Sequence, residues 1–308
     1  MDSSVTRRYL TTTKPGAHAG AATFILSNSS KNLKRKQVLK ELKKLKSYRL
    51  HAPAYKNFPR RRVYVSRLHE QWAMDLVDIQ SYSRYNFRQK YLLVVLDVFS
   101  KKAWIEAIPN KTGPTVTAAL DKIILRTGVT PEKIQSDRGK EFYNKFMNKM
   151  LTERNIKLFS VYSDLKCCVI ERFIRTLFGR IARHLTDVGG KRFVNVLPDI
   201  EHSYNNSYHR SIKMKPSEVT LQNSRQVHEN LYGNIKPILY KSPKFNVGDF
   251  CLIAKRKTIF EKGYAQSYLH EIFKVKKIRQ TTPHVYELVD LNEQLIKGVF
   301  YEKQMLKL

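Results

Sequence analysis

KYLLVVLDVFSKKAWIEAI, residues 90–108, decides how this chain folds. Residues 91–99 are nearly all apolar, the pattern of an interior strand buried on both faces, and residues 102–108 form a second run joined to it by a short polar break. Upstream, WAMDLVDI (72–79) alternates in the manner of a third strand and is separated from the first by a long polar loop. Downstream, the spacing predicts a helix over 114–127, a strand over 132–136, a helix over 139–153, a strand over 156–161 and a helix over 167–187. Three hairpin-connected strands followed by alternating helices and strands specify a mixed α/β sheet of five strands with flanking helices.

The flanks differ from this centre. Residues 1–14 are polar and are expected to be disordered. Residues 17–31 and 34–47 read as short helices, either a helix-turn-helix-like module or merely a basic arm. HAPAYKNFPRRRV, with Arg60, Arg61 and Arg62, reads as an extended basic linker. After Gly189 and Gly190 further helices are expected, then a linker over 226–243. FNVGDFCLIAK, EIFKVKKIRQ, VYELVDL and IKGVFY are short strands at close intervals, the pattern of a small β-barrel.

The 57 Lys plus Arg against 26 Asp plus Glu, a formal charge of +31, favour a polyanionic partner, nucleic acid before a membrane surface. No apolar run approaches the roughly 20 residues of a membrane-spanning helix, and a signal-peptide core is absent, so a soluble intracellular protein is expected. Cys167, Cys168 and Cys251 form no CxxC pair, which suits a reducing compartment.

Against this cationic background three carboxylates stand out: Asp75, Asp137 and Glu171. In a strand alternate residues share a face, so Asp75 goes with Ala73, Val77 and Ile79, whereas Asp78 goes with Trp72, Met74 and Leu76. The two aspartates point opposite ways, and Asp75, mid-strand on the more apolar face, has the greater need of a cation. Asp137 ends a strand just before a helix, where ligand-binding groups gather in open sheets, although a turn-stabilising role fits it equally. Glu171 opens a helix whose stripe of Ile170, Phe173, Ile174, Leu177, Phe178, Ile181 and Leu185 is core; an ion pair with Arg175 one turn on is its ordinary explanation. Arg172, Arg175, Arg180 and Arg183 make the same helix suited to a phosphate backbone.

At these residues the chain resembles integrases with the DDE catalytic core, the superfamily of retroviral integrases and many transposases. WAMDLVDIQ, KYLLVVLDVFSKKAWIEAIPNKTG, SDRGKEF, YSDLKCCVIERFIRTL and YNNSYHRSIKMKPSEV resemble more closely the integrases of Polinton (Maverick) DNA transposons, and the resemblance extends over nearly all of the chain. Asp137 and Glu171 are 34 positions apart (171 − 137), near that family's interval. The resemblance implies an RNase H-like core over 69–225, preceded by a helical module (15–50) and a linker (51–68) and followed by an SH3-like DNA-binding barrel (244–308). It implies that Asp75, Asp137 and Glu171 are catalytic and hold two Mg²⁺ or Mn²⁺ ions, a role hard oxygen ligands suit. It also implies 3′-end processing, in which water frees a 3′-hydroxyl, then strand transfer into target DNA, with double-stranded DNA as partner and a homo-oligomer on that DNA. A nuclear protein is expected.

Cys167, Cys168 and Ile174 depart from many relatives, as does the absence of a Trp near Tyr268. No structural zinc is expected, because His18, His51 and His69 have no cysteines nearby. Arg172 and Arg175, Lys255, Arg256 and Lys257, and Arg60 to Arg62 are the candidate DNA contacts; the last run would serve nuclear import equally well. Two other readings stay open: a catalytically decayed or host-recruited DNA-binding protein, and a ribonuclease H-type nuclease.

Overall fold

The computed structural model describes residues 4–28, 34–55, 57–61, 63–160, 168–233, 242–255, 261–262 and 264–308. Of the residues singled out above, Arg62, Cys167, Arg256 and Lys257 lie outside them. The chain forms two compact units, Val63–Ile238 and a second made of Met1–Arg62 with Leu239–Leu308.

In the first unit five strands, β1 (Gln71–Asp78), β2 (Tyr91–Asp97), β3 (Ala103–Ile108), β4 (Lys133–Gln135) and β5 (Lys157–Phe159), form one sheet in the order β3-β2-β1-β4-β5. The first three are antiparallel neighbours and the last two join in parallel, the mixed sheet expected from the sequence. β2 is interior and buried on both faces, as its apolar run requires, while β1 takes the centre.

Each face carries its own core. Trp72, Met74, Leu93 and Val95 pack under α5 (Gly113–Thr127) and α6 (Lys145–Glu153), with Trp72 and Trp104 rings 4.6 Å apart. On the opposite face Ala73, Val94, Leu96 and Ile105 pack under α7 (Cys168–Asp187) and α8 (Leu197–Asn205). α7 lies down by Ile170, Phe173, Leu177 and Ile181, the stripe read from its sequence. α5 stops at Gly128, whose φ of +65 is the left-handed position that glycine adopts without strain.

α8 also closes the outer edge of the sheet. The Asn205 amide donates to Ala103 O (2.8 Å) and accepts from Ala103 N (2.9 Å), while Glu201 accepts from Ile105 N (2.7 Å). Three outward groups at the start of the edge strand β3 are thus satisfied by side chains.

Four differences from the sequence reading have physical causes. Ser4–Leu10, expected to be disordered, is helix α1, because the Tyr9 ring packs edge-on against Phe24 and Tyr48. With α2 (Ala21–Ser27), α3 (Arg35–Leu42) and α4 (Lys46–Leu50) it shares a small core of Tyr9, Phe24, Val38 and Leu42. α6 begins at Lys145 rather than 139, since Asn144 caps it by accepting from Phe146 N and Met147 N. Ser224–Tyr232, partly assigned to a linker, is helix α9, anchored by the fully buried Val227. The stretch PSEVTLQN forms only the single helical turn Pro216–Glu218.

In the second unit β6 (Phe250–Ile253), β7 (Phe273–Arg279), β8 (Val285–Val289), β9 (Phe300–Tyr301) and β10 (Met305–Lys307) form an antiparallel sheet in the order β10-β6-β7-β8-β9. Phe245, Val275, Tyr286 and Leu288 are its core. Part of the segment 51–68, read as a linker, packs on this sheet: Ala52 and Ala54 lie against Leu252 and Tyr268, and Arg61 N donates to the Tyr301 hydroxyl (3.1 Å).

Candidate active site

Asp75 stands where strand alternation puts it, half-buried on the face of Ala73 and Val77, with Oδ1 accepting from Leu76 N (2.8 Å). Asp78 points the other way and is consumed by a turn. Its two oxygens accept from the Gln80 backbone (2.8 Å) and side chain (2.7 Å), and these hydrogen bonds hold its carboxyl below the usual range.

Asp137 follows β4, which pairs in parallel with β1 through Gln71↔Lys133, Trp72↔Ile134 and Ala73↔Gln135. Continued by two residues, that register sets Asp137 level with Asp75 on the adjacent strand path. The turn beyond it is tight: a side chain at Gly139 would collide with the Glu141 carboxylate. Glu141 thus folds back over its own turn.

Glu171 lies in the first turn of α7, exposed, beside Ile170 and Phe173, which bind the helix to the Asp75 face of the sheet. It makes no ion pair with Arg175 or with any other described residue. The ordinary explanation of this glutamate, a helical salt bridge, is absent.

The β1–β4 register, extended two residues, sets Asp75 and Asp137 on one face of the sheet, and α7, with Glu171 in its first turn, packs on that face. Among the described residues no three His, Cys, Asp or Glu side chains are grouped closely enough to hold a metal ion. The three candidate donors are carboxylates, which suit a hard divalent cation.

His209 is the strongly perturbed histidine of this unit. Burial, with Lys101 and Arg172 nearby, lowers its pKa from 6.5 to about 4. The unfolded chain takes up that proton near pH 6.5 and the folded chain only near 4, so stability present above 6.5 is lost as pH falls toward 4. The expected loss is on the order of 1–2 kcal/mol after solvent screening. Denaturant midpoints at pH 7.5 and pH 4.5 should differ more for the native chain than for His209→Gln; equal differences would contradict the assignment.

The candidate DNA contacts are dispersed. Arg172 and Arg175 are exposed on α7, the Arg60 guanidinium lies 4.7 Å from the Phe58 ring centre, and Lys255 pairs with Glu261 (2.7 Å). Lys276 and Lys277 project from β7 beside Lys274, which pairs with Glu293.

Comparison with known proteins now bears on this geometry. Residues 66–160 match the family described as Integrase core domain. A transposon-derived protein of Caenorhabditis elegans is 32% identical over 225 residues, 73% of this chain and 74% of that protein. The Gag-Pol polyprotein of Koala retrovirus is 32% identical over 145 residues, 46% of this chain but 8% of the polyprotein. Among solved structures, a chain of the simian T-cell lymphotropic virus intasome in complex with PP2A regulatory subunit B56 gamma aligns over 94% of this chain and 95% of its own. Its TM-score is 0.66 at 14% identity, a likeness of fold.

Proposed function

We propose that this chain, which belongs to the integrase core family, is a transposon integrase that processes the 3′ ends of its element and transfers them into target DNA. The observation that carries the reading is the register of β1 and β4, which pairs Ala73 with Gln135, each two residues before the aspartates Asp75 and Asp137, inside the matched core. Glu171, which has no ion-pair partner among the described residues, lies on the helix covering that face and supports the reading.

Asp75, Asp137 and Glu171 would hold two Mg²⁺ or Mn²⁺ ions, which when bound would stabilise charge on the attacking and leaving oxygens of a phosphodiester. The chain's own contribution is positional. β1 is fixed by both cores, so the Asp75 carboxylate is held rigidly, and the Leu76 N–H engages one of its oxygens. The other two carboxylates come from a strand end and a helix start, places that can adjust as a DNA strand enters. The excess of cations would hold two element ends and a target, and a homo-oligomer would supply an active site for each end. Chromosomal target DNA places its action in the nucleus. Closer kinship to Polinton elements belongs to the same proposal.

The deciding experiment incubates the full chain with labelled DNA carrying the element's inverted repeats, a supercoiled target, and Mg²⁺ or Mn²⁺. Joined product that vanishes with EDTA is expected. Binding of the repeats with neither nicking nor joining in Mn²⁺ would instead leave a DNA-binding protein.

A further inference from the structure

A cavity of about 390 Å³ opens beside α7, between its first half, the end of α8 and the segment 207–211. Lys101, Arg172, Arg180, Tyr208, His209 and Arg210 are on its wall, and no described lining residue is acidic. Asp75, Asp137 and Glu171 are not part of it. We propose that this cavity is a second site, binding one phosphate-bearing nucleotide unit, with the phosphate held by Arg172 and Arg180 and the base against Tyr208.

Arg180 is preorganised without being neutralised. Its guanidinium donates to Ser203 Oγ (2.8 Å) and Ser207 Oγ (3.1 Å) and lies 5.7 Å from the Tyr204 ring centre. Two hydroxyls and a ring fix its direction and leave its full charge. Among the described residues neither Arg172 nor Arg210 pairs with a carboxylate. Arg172, Thr176 and Arg180 are four residues apart in turn, so one stripe of α7 presents them together.

Lys101 reaches the wall from the β2–β3 turn at a φ of +64, a left-handed position that disfavours a lysine. The turn is held by the buried Asp97, which accepts from Ser100 Oγ (2.5 Å) and Ser100 N (3.0 Å). His209 is kept neutral by burial and by the field of Lys101 and Arg172, the sign a phosphate seeks. Because Ser211 N donates to His209 Nδ1 (3.3 Å), the imidazole proton is on Nε2, leaving a donor for an anion.

The segment is rigid enough to be a site. His209 N donates to Met214 O (2.9 Å), Ile212 is fully buried, and Asn230 Nδ2 donates to Ile212 O (3.0 Å). Tyr208, 68% exposed, leaves a ring face open for a base, the geometry by which sequence-tolerant stacking sites work.

The inference stands apart from the transfer reaction, so its test omits divalent metal. The full chain in EDTA is titrated by calorimetry with deoxyadenosine 5′-monophosphate, inorganic phosphate and a single-stranded hexanucleotide. Arg172→Gln and Arg180→Gln should each weaken binding about tenfold or more, while Lys149→Gln on α6 should not. Arg172 is exposed, so its variant tests the site even if Arg180→Gln impairs folding. The pKa of His209, followed by proton NMR, should rise on binding, since the phosphate offsets Lys101, Arg172, Arg180 and Arg210. A hexanucleotide that binds where the free nucleotide does not would identify a DNA strand as the source; the reverse would identify a soluble nucleotide. Binding of all three probes unchanged in both arginine variants, or lost equally in Lys149→Gln, would overturn the proposal. So would no binding of any probe.

Discussion

Asp137→Asn is expected to lower metal-dependent cleavage and joining of DNA at least about 100-fold while leaving DNA binding and melting temperature nearly unchanged. The substitution is isosteric and removes one negative charge from a half-buried position just after the end of β4. Divalent cations held by oxygen ligands need that charge. Glu171→Gln should act in the same way, and more cleanly, because the carboxylate has no partner in the described structure to lose. Asp78→Asn is the informative contrast. Its carboxylate serves Gln80, so activity should remain and only the turn after β1 should loosen. Full activity in Asp137→Asn, measured as joined product on a sequencing gel, would remove the carboxylates from the mechanism.

The largest loss of stability outside the apolar core should come from Asn86→Ala. Asn86 is fully buried, and its side chain makes four hydrogen bonds. Nδ2 donates to Tyr82 O and Lys191 O, both at 2.9 Å; Oδ1 accepts from Phe193 N (2.7 Å) and Val194 N (2.9 Å). One amide therefore ties the loop after β1 to the segment between α7 and α8. Truncation strands four backbone groups, each costing about 1–3 kcal/mol where water cannot reach it. With partial rehydration a net loss of about 3–4 kcal/mol is expected, a drop in Tm of roughly 10 °C for a unit of this size. Asn86→Asp, which keeps the acceptor and loses the donors, should fall between the two. A Tm within about 2 °C of the native value would show that the loop holds without this link.

The parts of this structure that were legible in the sequence are those decided by local pattern. β2 and β3 declare themselves because YLLVVLDVF and AWIEAI need burial whatever surrounds them, and α7 because its apolar stripe persists for five turns. The opposite facing of Asp75 and Asp78 also followed from local pattern, since strand alternation alone separates them. What stayed hidden depends on distant partners. α1 is stable because of Phe24 and Tyr48, and α9 because one residue, Val227, reaches the core; neither segment has enough apolar residues to announce itself. The pairing of β1 with β4 is of the same kind. A parallel register is set by an intervening helix and loop, so the level placement of Asp75 and Asp137 could be expected only by resemblance. The cavity beside α7 was least accessible, because it draws Lys101, Arg180 and His209 from three remote segments. The spacing of Arg172, Thr176 and Arg180 was the one signal of it.

The sealing of β3 by Asn205 and Glu201 limits how copies of this chain can associate. With the amide hydrogens of Ala103 and Ile105 already engaged, a second core cannot add its strands there to make one continuous sheet. The opposite border is β5, only three residues long, too little to template another strand. Copies gathered on one nucleoprotein particle would have to meet through helices and loops. Such contacts can be remodelled as DNA is exchanged, and the same closure guards a strongly apolar sheet against fibrous aggregation at high local concentration.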